Sequence, residues 1–260
     1  MTLPQAEPIH EVPEAELPDV ENLVTEDDEP VDGMASEKQQ RLLTGVLYDS
    51  PVLDPPFVAA ANVGVFAAVR RPPLVPDVFL SLDVEVPRDW WKKAHRSYFL
   101  WEYGKPPDVV VEIVSNREGG ELDRKMREYG RMRVPYYVVY DPQRLLSDGE
   151  LRVFVLREGG YAEKEDPWLD EVGLGLVFWE GTFEGRLDRW LRWCDRQGRV
   201  LPTGRERADE QTRMTEAERR RAEEERRRAD EQARMTEAER RRAERLAARL
   251  RAAGIDPDEP

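Results

Sequence analysis

The residues best suited to chemistry surround a glutamate in an apolar run. Glu112 lies inside residues 109–114, a run of β-branched residues bounded by Pro107 on one side and Ser115-Asn116 on the other. Such a run predicts a β-strand buried on both faces. A carboxylate buried there without a partner would be strongly destabilising. Glu112 is therefore expected to meet a positive charge.

A second carboxylate precedes the neighbouring predicted strand. Asp77 opens a segment of alternating apolar and polar residues, 76–87, which is typical of a strand with one mostly polar face. Two strands of one sheet would bring Asp77 and Glu112 close enough to share a divalent cation. Mg²⁺ or Mn²⁺ fits such a site, because hard cations prefer oxygen ligands and act on phosphodiesters.

A lysine follows on a helix predicted from Gly120 to Met132. Leu122 and Tyr129 belong to its apolar stripe, and Lys125 lies three and four residues from them, on the same face. A lysine there could orient a water molecule or neutralise developing negative charge. Simpler interpretations stay open: Lys125 and Glu112 form a buried ion pair without a metal, and Asp77 is a turn residue after proline.

The remaining patterns predict the elements that hold these residues. Strands are expected within 57–70 and 135–142, and a hairpin within 151–164 with its turn at Gly159-Gly160. One helix is expected to begin behind Ser36 as N-cap, and another to cover 183–198 with Leu187 and Trp190 inward. Strands and helices in this order predict an α/β sandwich.

The last region is a repeat. The segment "ADEQTRMTEAERRRAE" at 208–223 recurs as "ADEQARMTEAERRRAE" at 229–244, an offset of three heptads. One charged helix is predicted over 204–254, followed by a tail at 255–260. Its apolar residues are mostly alanine, so a single charge-paired helix and a coiled coil that forms a homo-oligomer both remain possible.

Charge and cysteine content indicate which segments are folded and in which compartment the protein is expected. The net charge is -14, but the first 37 residues alone contain twelve acidic and no basic side chains. Residues 1–30 are therefore predicted to be a disordered acidic arm, and the core region, 31–203, is nearly neutral. The single cysteine indicates a reducing compartment, and no stretch suits a signal peptide or membrane helix. We expect a cytoplasmic protein without a membrane partner.

An aromatic and basic segment, "WWKKAHRSYFLW", covers residues 90–101. Stacking rings beside cations are typical of nucleic-acid contacts, so Lys92, Lys93 and Arg96 are candidates for that role. A hairpin with one packed face explains the same pattern.

Four motifs together resemble a known family. They are "PDVFLSLDVEVPRDWW", "PPDVVVEIVSN", "DRKMREYGRMRVPYYVVYDP" and "GLVFWEGTFEGRLDRWLRWCDRQG". This chain resembles the Uma-type endonuclease family, a branch of the PD-(D/E)XK restriction-endonuclease-like superfamily. The resemblance spans roughly 30–203 and implies a mixed sheet flanked by helices, with the long charged helix as an addition.

The resemblance also implies roles for the residues. Asp77 and Glu112 would be metal ligands, with the backbone carbonyl of Ile113 as a third. The superfamily's usual lysine, two residues after the acid, is replaced here by Val114. Lys125 occupies the place of the lysine that similar members supply from the next helix.

Two accessory residues complete the prediction. Glu37 matches an acid that assists the metal from the first helix in this superfamily, and Ser115 would face the site from the strand exit. The leading hypothesis is a Mg²⁺-dependent endonuclease that hydrolyses phosphodiester bonds in nucleic acid, DNA in particular. The alternative is a degenerate nuclease core that acts as a scaffold through the C-terminal helix.

Overall fold

A computed structural model describes residues 33–68, 71–89, 91, 95–117, 120–146 and 149–252. The predicted acidic arm 1–30, the tail 255–260, and Lys92 and Lys93 lie outside these residues. No helix within the described ranges is long and apolar enough to cross a membrane.

The chain begins with a helix and continues into short strands. The elements in chain order are α1 (Met34–Asp49), β1 (Phe57–Ala61), β2 (Val65–Phe66), β3 (Val78–Leu82), β4 (Tyr98–Phe99), α2 (Leu100–Tyr103), β5 (Val109–Ile113), a π-helical turn (Glu121–Lys125), α3 (Met126–Met132), β6 (Tyr136–Tyr140), β7 (Leu151–Arg157), β8 (Gly160–Lys164), β9 (Trp168–Leu169), β10 (Leu174–Phe183), β11 (Arg186–Cys194) and α4 (Gly204–Ala252).

Six of the strands form one mixed sheet, in the order β1-β3-β5-β6-β7-β8. The β5–β6 pair is parallel and the other neighbours are antiparallel. The central strands β5 and β6 are buried throughout, as expected for strands covered on both faces. The predicted fold class, a mixed α/β sheet with flanking helices and a long C-terminal helix, is confirmed.

Alternate residues of β5 face two separate cores. Val109, Val111 and Ile113 pack in a cluster that includes α1 and the three-stranded sheet β11-β10-β9. Val110 packs on the opposite face, in a cluster that includes Tyr129 of α3. Glu112 alternates with Ile113 and therefore lies on the α3 face of the sheet.

The predicted helix over 183–198 is wrong. Residues 186–194 form β11, which pairs antiparallel with β10 through a two-residue turn at Glu184-Gly185. Both turn residues have positive φ, 46° and 79°, as the tight turns of hairpins require. Arg192, which a helix would turn outward, is buried and donates to the carbonyl of Leu201 at 2.6 Å.

Two smaller expectations also need correction. Helix α1 begins at Met34 behind Gly33, so Ser36 lies inside its first turn and is not the N-cap. Among the described residues of 90–101, Tyr98 and Phe99 form the short strand β4, which pairs in parallel with β2 and leads into α2. That pairing replaces the expected hairpin.

The repeat forms one continuous helix, α4, of 49 residues. Its first turn is closed by a capping box, because Thr203 N–H donates to Glu206 Oε2 at 2.8 Å and Glu206 N–H donates to Thr203 Oγ1 at 3.2 Å. Ion pairs at i,i+4, such as Glu237 with Arg241, lie along its surface. No residue of α4 is buried, and the chain divides into two units after Leu201.

Candidate active site

Asp77 and Glu112 lie side by side at one end of neighbouring strands. Val78 of β3 is opposite Val111 of β5 in an antiparallel pair, so the next step of the register places Asp77 opposite Glu112. The amide of Ile113 donates to Asp77 Oδ2 at 2.6 Å, which fixes the aspartate against the residue after Glu112. Burial raises the pKa of Glu112, and the negative charge of Asp77 acts in the same direction.

Glu112 has two donors from the helical segment above it. Lys125 Nζ lies 2.9 Å from Glu112 Oε2, and the Tyr129 hydroxyl donates to Glu112 Oε1 at 2.7 Å. The glutamate is completely buried, and burial raises its pKa to about 8, although the Lys125 charge acts in the opposite direction. The predicted cation next to Glu112 is therefore Lys125 in the structure as it stands.

Lys125 keeps its charge in spite of its surroundings. Burial opposes the charged form, but the carboxylate of Glu112, followed by those of Glu121 and Asp77, raises the pKa of Lys125 above its usual value. Its side chain remains 23% exposed, so the ammonium group lies at the boundary between the buried acid and solvent. That is where a lysine can contact both a metal ligand and a substrate.

A widened helical turn positions Lys125 beside Glu112. Gly120 adopts a left-handed conformation with φ 71°, and its carbonyl accepts the amide of Lys125 at 2.9 Å, the i→i+5 bond of a π-turn. The hydroxyl of buried Tyr137 in β6 donates to the carbonyl of Glu121 at 2.9 Å. The turn is thereby attached to the sheet that carries Glu112.

Helix α1 reaches the site through a different residue from the one expected. Gln40 Nε2 donates to Asp77 Oδ1 at 2.9 Å, and Gln40 is buried. The carboxylate of Glu37, one turn earlier, is about half exposed and pairs with Arg41 at 2.8 Å. The structure therefore does not bring Glu37 to Asp77, because Glu37 lies one turn away from Gln40 along α1 and its carboxylate pairs with Arg41 near the surface.

The other predicted residues occupy the edges of the site. Ile113 contacts Asp77 through its amide, and the role of its carbonyl as a metal ligand stays a prediction. Ser115 lines a cavity of about 240 Å³ together with Ile113, Gln39 and Arg189. Arg96 is exposed and donates to the carbonyl of Trp91 at 2.8 Å.

Glu121 is a site residue that sequence reasoning did not single out. Its side chain is only 6% exposed, and its Oε1 lies 3.5 Å from Lys125 Nζ. Its Oε2 is buried and has no hydrogen-bond partner among the described residues. The only signal in the sequence was its i,i+4 spacing to Lys125, which occurs on many exposed helix surfaces.

The donor set fits one hard cation. Both acids supply oxygen ligands, and a carboxylate offers about four lone-pair sites, so protein donors do not exhaust Asp77 or Glu112. Within the described residues, no group of three His, Cys, Asp or Glu side chains is arranged to enclose a metal. A cation held here would therefore depend on two protein carboxylates, with water and substrate completing its coordination, as is usual for Mg²⁺.

The tyrosine beside Glu112 gives a first prediction. At about pH 9, above the Glu112 pKa of about 8, Tyr129→Phe removes a buried donor to a charged acceptor, so we expect it to lower the free energy of unfolding by about 2 kcal/mol. Tyr161→Phe is the matched control, because its hydroxyl donates to the neutral carbonyl of Val134 at 2.8 Å, a bond worth about 1 kcal/mol. Urea unfolding in EDTA measures both. Equal losses would show that Glu112 carries no charge in the folded protein.

The comparisons with known proteins identify the family. The family model "Uma2: Putative restriction endonuclease" matches residues 15–179, more than half of the chain, which therefore belongs to the Uma2 family. The resemblance seen in the motifs is confirmed. A crystal structure of "a putative nuclease belonging to DUF820 from Anabaena variabilis" is similar over 53% of this chain and 71% of that chain, with 15% identity and a TM-score of 0.37. No curated protein matches the sequence.

Proposed function

We propose that this protein is a metal-dependent nuclease that hydrolyses phosphodiester bonds, with DNA as the expected substrate. The observation that carries the proposal is the 2.6 Å hydrogen bond from the Ile113 amide to Asp77 Oδ2, which holds Asp77 beside the residue that follows Glu112, with Lys125 2.9 Å from Glu112. Family membership supports the same class of reaction.

Each residue then has a separate task. Asp77 and Glu112 would hold the cation, which would stabilise the charge of the phosphodiester transition state and lower the pKa of the attacking water. Gln40 and the amide of Ile113 hold Asp77 in place. Lys125, once free to contact substrate, would hydrogen-bond to the attacking water or to a phosphoryl oxygen.

A basic cavity supports a polyanionic substrate. Arg71, Arg124 and Arg131 line a cavity of about 510 Å³, and Glu128 is the one acidic side chain among its described lining residues. Arg124 is the chain neighbour of Lys125, so the phosphate backbone could pass from this cavity to the candidate site. Phosphate contacts of this kind position a nucleic acid without reading its sequence.

The proposal is tested by cleavage of plasmid, single-stranded DNA and RNA with Mg²⁺, Mn²⁺ or EDTA. We expect cutting that requires the cation, stops in EDTA and is strongly reduced in Asp77→Asn, which removes one negative ligand. Asp170→Asn is the control, because Asp170 is exposed and pairs with Lys164. No cutting, together with a melting temperature that metal does not change, would contradict a nuclease.

The alternative is a scaffold that assembles through α4. It is favoured by a 49-residue helix with no buried residue and with Met214 and Met235, 21 residues apart, both exposed. If α4 forms a coiled coil, sedimentation should give a larger mass for the full chain than for residues 1–203, beyond the mass of the segment itself. Monomers in both cases would count against assembly through this helix.

A further inference from the structure

Glu121 has a buried carboxylate oxygen without a partner. Its Oε2 contacts no donor among the described residues, although the side chain is nine-tenths buried. An unsatisfied acceptor in the interior destabilises the folded state, and each such group in a native protein calls for an explanation. The neighbouring lysine offers one.

Lys125 lies between two carboxylates. Its Nζ is 2.9 Å from Glu112 Oε2 and 3.5 Å from Glu121 Oε1, so it is bonded firmly to the first and loosely to the second. A divalent cation on Glu112 would repel the ammonium group and occupy lone pairs that Lys125 now uses. The flexible stem of a lysine allows Nζ to move a short distance, but only toward another acceptor.

We propose that Glu121 is a positioning residue that receives Lys125 when a divalent cation binds at Asp77 and Glu112. Its unpartnered Oε2 is then the acceptor for the displaced ammonium group, which keeps its countercharge and stays beside the cation. This inference rests on the proposed function, because it requires a cation at that pair of acids.

The local backbone suits this role. Glu121 begins the π-turn and Lys125 ends it, so both lie on the same widened turn. The hydroxyl of Tyr137 holds the carbonyl of Glu121 against the sheet, whereas the Lys125 side chain is partly exposed. The acceptor is therefore fixed and the donor can move between the two acids.

The experiment is Mn²⁺ binding by calorimetry to the full chain and to three variants. These are Glu121→Gln, Lys125→Met and the double variant. We expect Glu121→Gln to weaken Mn²⁺ about tenfold, the size of a typical coupling between sites. In the Lys125→Met background the same substitution should change the affinity less than about twofold, because no ammonium group has to be received.

Asp123→Asn is the matched control. It removes the same charge from the same turn, but Asp123 is exposed and pairs with Arg127, so its effect on Mn²⁺ affinity should be small. Equal weakening by Glu121→Gln in both backgrounds would overturn the inference, since Glu121 would then act on the cation directly. Unchanged affinity in Glu121→Gln would overturn it as well.

A second readout follows the lysine itself. In protein labelled with ¹⁵N-lysine, the Nζ signal of Lys125, identified by its loss in Lys125→Met, should shift when Mg²⁺ is added. The shift should be absent or different in Glu121→Gln. A wild-type protein that binds neither Mn²⁺ nor Mg²⁺ would refute the proposed function first, whereas binding with an unmoved Lys125 signal would refute this inference alone.

Discussion

Glu112→Gln should abolish cation-dependent cleavage while leaving the protein folded. The substitution preserves the shape of the side chain but removes the negative charge that would attract the cation. Loss of a metal's contribution to transition-state stabilisation, several kcal/mol, corresponds to roughly a 10³-fold lower rate. Nicking of supercoiled plasmid in Mg²⁺ or Mn²⁺ measures the rate, and calorimetry should show weakened Mn²⁺ binding in the same variant.

The Glu112→Gln variant should remain folded because Lys125, the partner of Glu112, keeps contact with solvent and with another acid. Lys125 is 23% exposed and still has Glu121 within 3.5 Å, and the Tyr129 hydroxyl can donate to the amide oxygen of glutamine. Glu163→Gln serves as the control, since Glu163 is an exposed acid paired with Arg152. If Glu112→Gln cut as fast as the control, Glu112 would be a structural ion-pair partner and the site would lie elsewhere.

The sequence predicted the strands of the central sheet because their burial is encoded locally. The runs that became β5 and β6 are apolar on both faces, and the β7–β8 hairpin was signalled by its glycines, although the turn lies at Glu158-Gly159, one residue before the predicted Gly159-Gly160. β11 was missed because Leu187, Trp190 and Leu191 happen to fit a helical period. The decisive signal was the Glu184-Gly185 turn, whose positive φ values join two long antiparallel strands.

The part of the candidate site that lies on β5 and on the helical segment that follows it in the chain was predictable from the sequence. Alternation along β5 and the apolar stripe of the next helix placed Glu112 and Lys125 on facing surfaces. The contact from Gln40 depends instead on how α1 packs against the sheet, which no local pattern encodes. The burial of Glu121 depends on a π-turn, whereas sequence rules assume 3.6 residues per helical turn.

Lys125→Met should destabilise the protein more than any other single change at the site. It leaves Glu112, which is completely buried, without the cation that neutralises it. Removing one partner of a buried ion pair typically costs about 3–5 kcal/mol, and the lower end applies here because Lys125 is partly exposed. Urea unfolding in EDTA at about pH 9, where Glu112 of the wild type is ionised, measures the loss, which should exceed that of Glu112→Gln.

The double variant Lys125→Met/Glu112→Gln should recover most of that loss, because it removes the unpaired charge together with its partner.

The stability deficit of Lys125→Met, its loss of unfolding free energy relative to the wild type, should also depend on pH. Burial holds the pKa of Glu112 above its usual value of 4.5, so between that pH and about 8 the folded state binds a proton that the unfolded state has lost. Stability from this group is therefore full below pH 4 or so and falls as the pH rises toward about 8, in the wild type and in Lys125→Met alike. The Lys125 charge acts to lower this pKa, so above pH 8 Glu112 ionises in the wild type before it does in the variant, and the deficit should grow there. A deficit that is the same at low and high pH, or that the double variant does not reduce, would show that Lys125 stabilises the fold through packing of its stem and not through its charge.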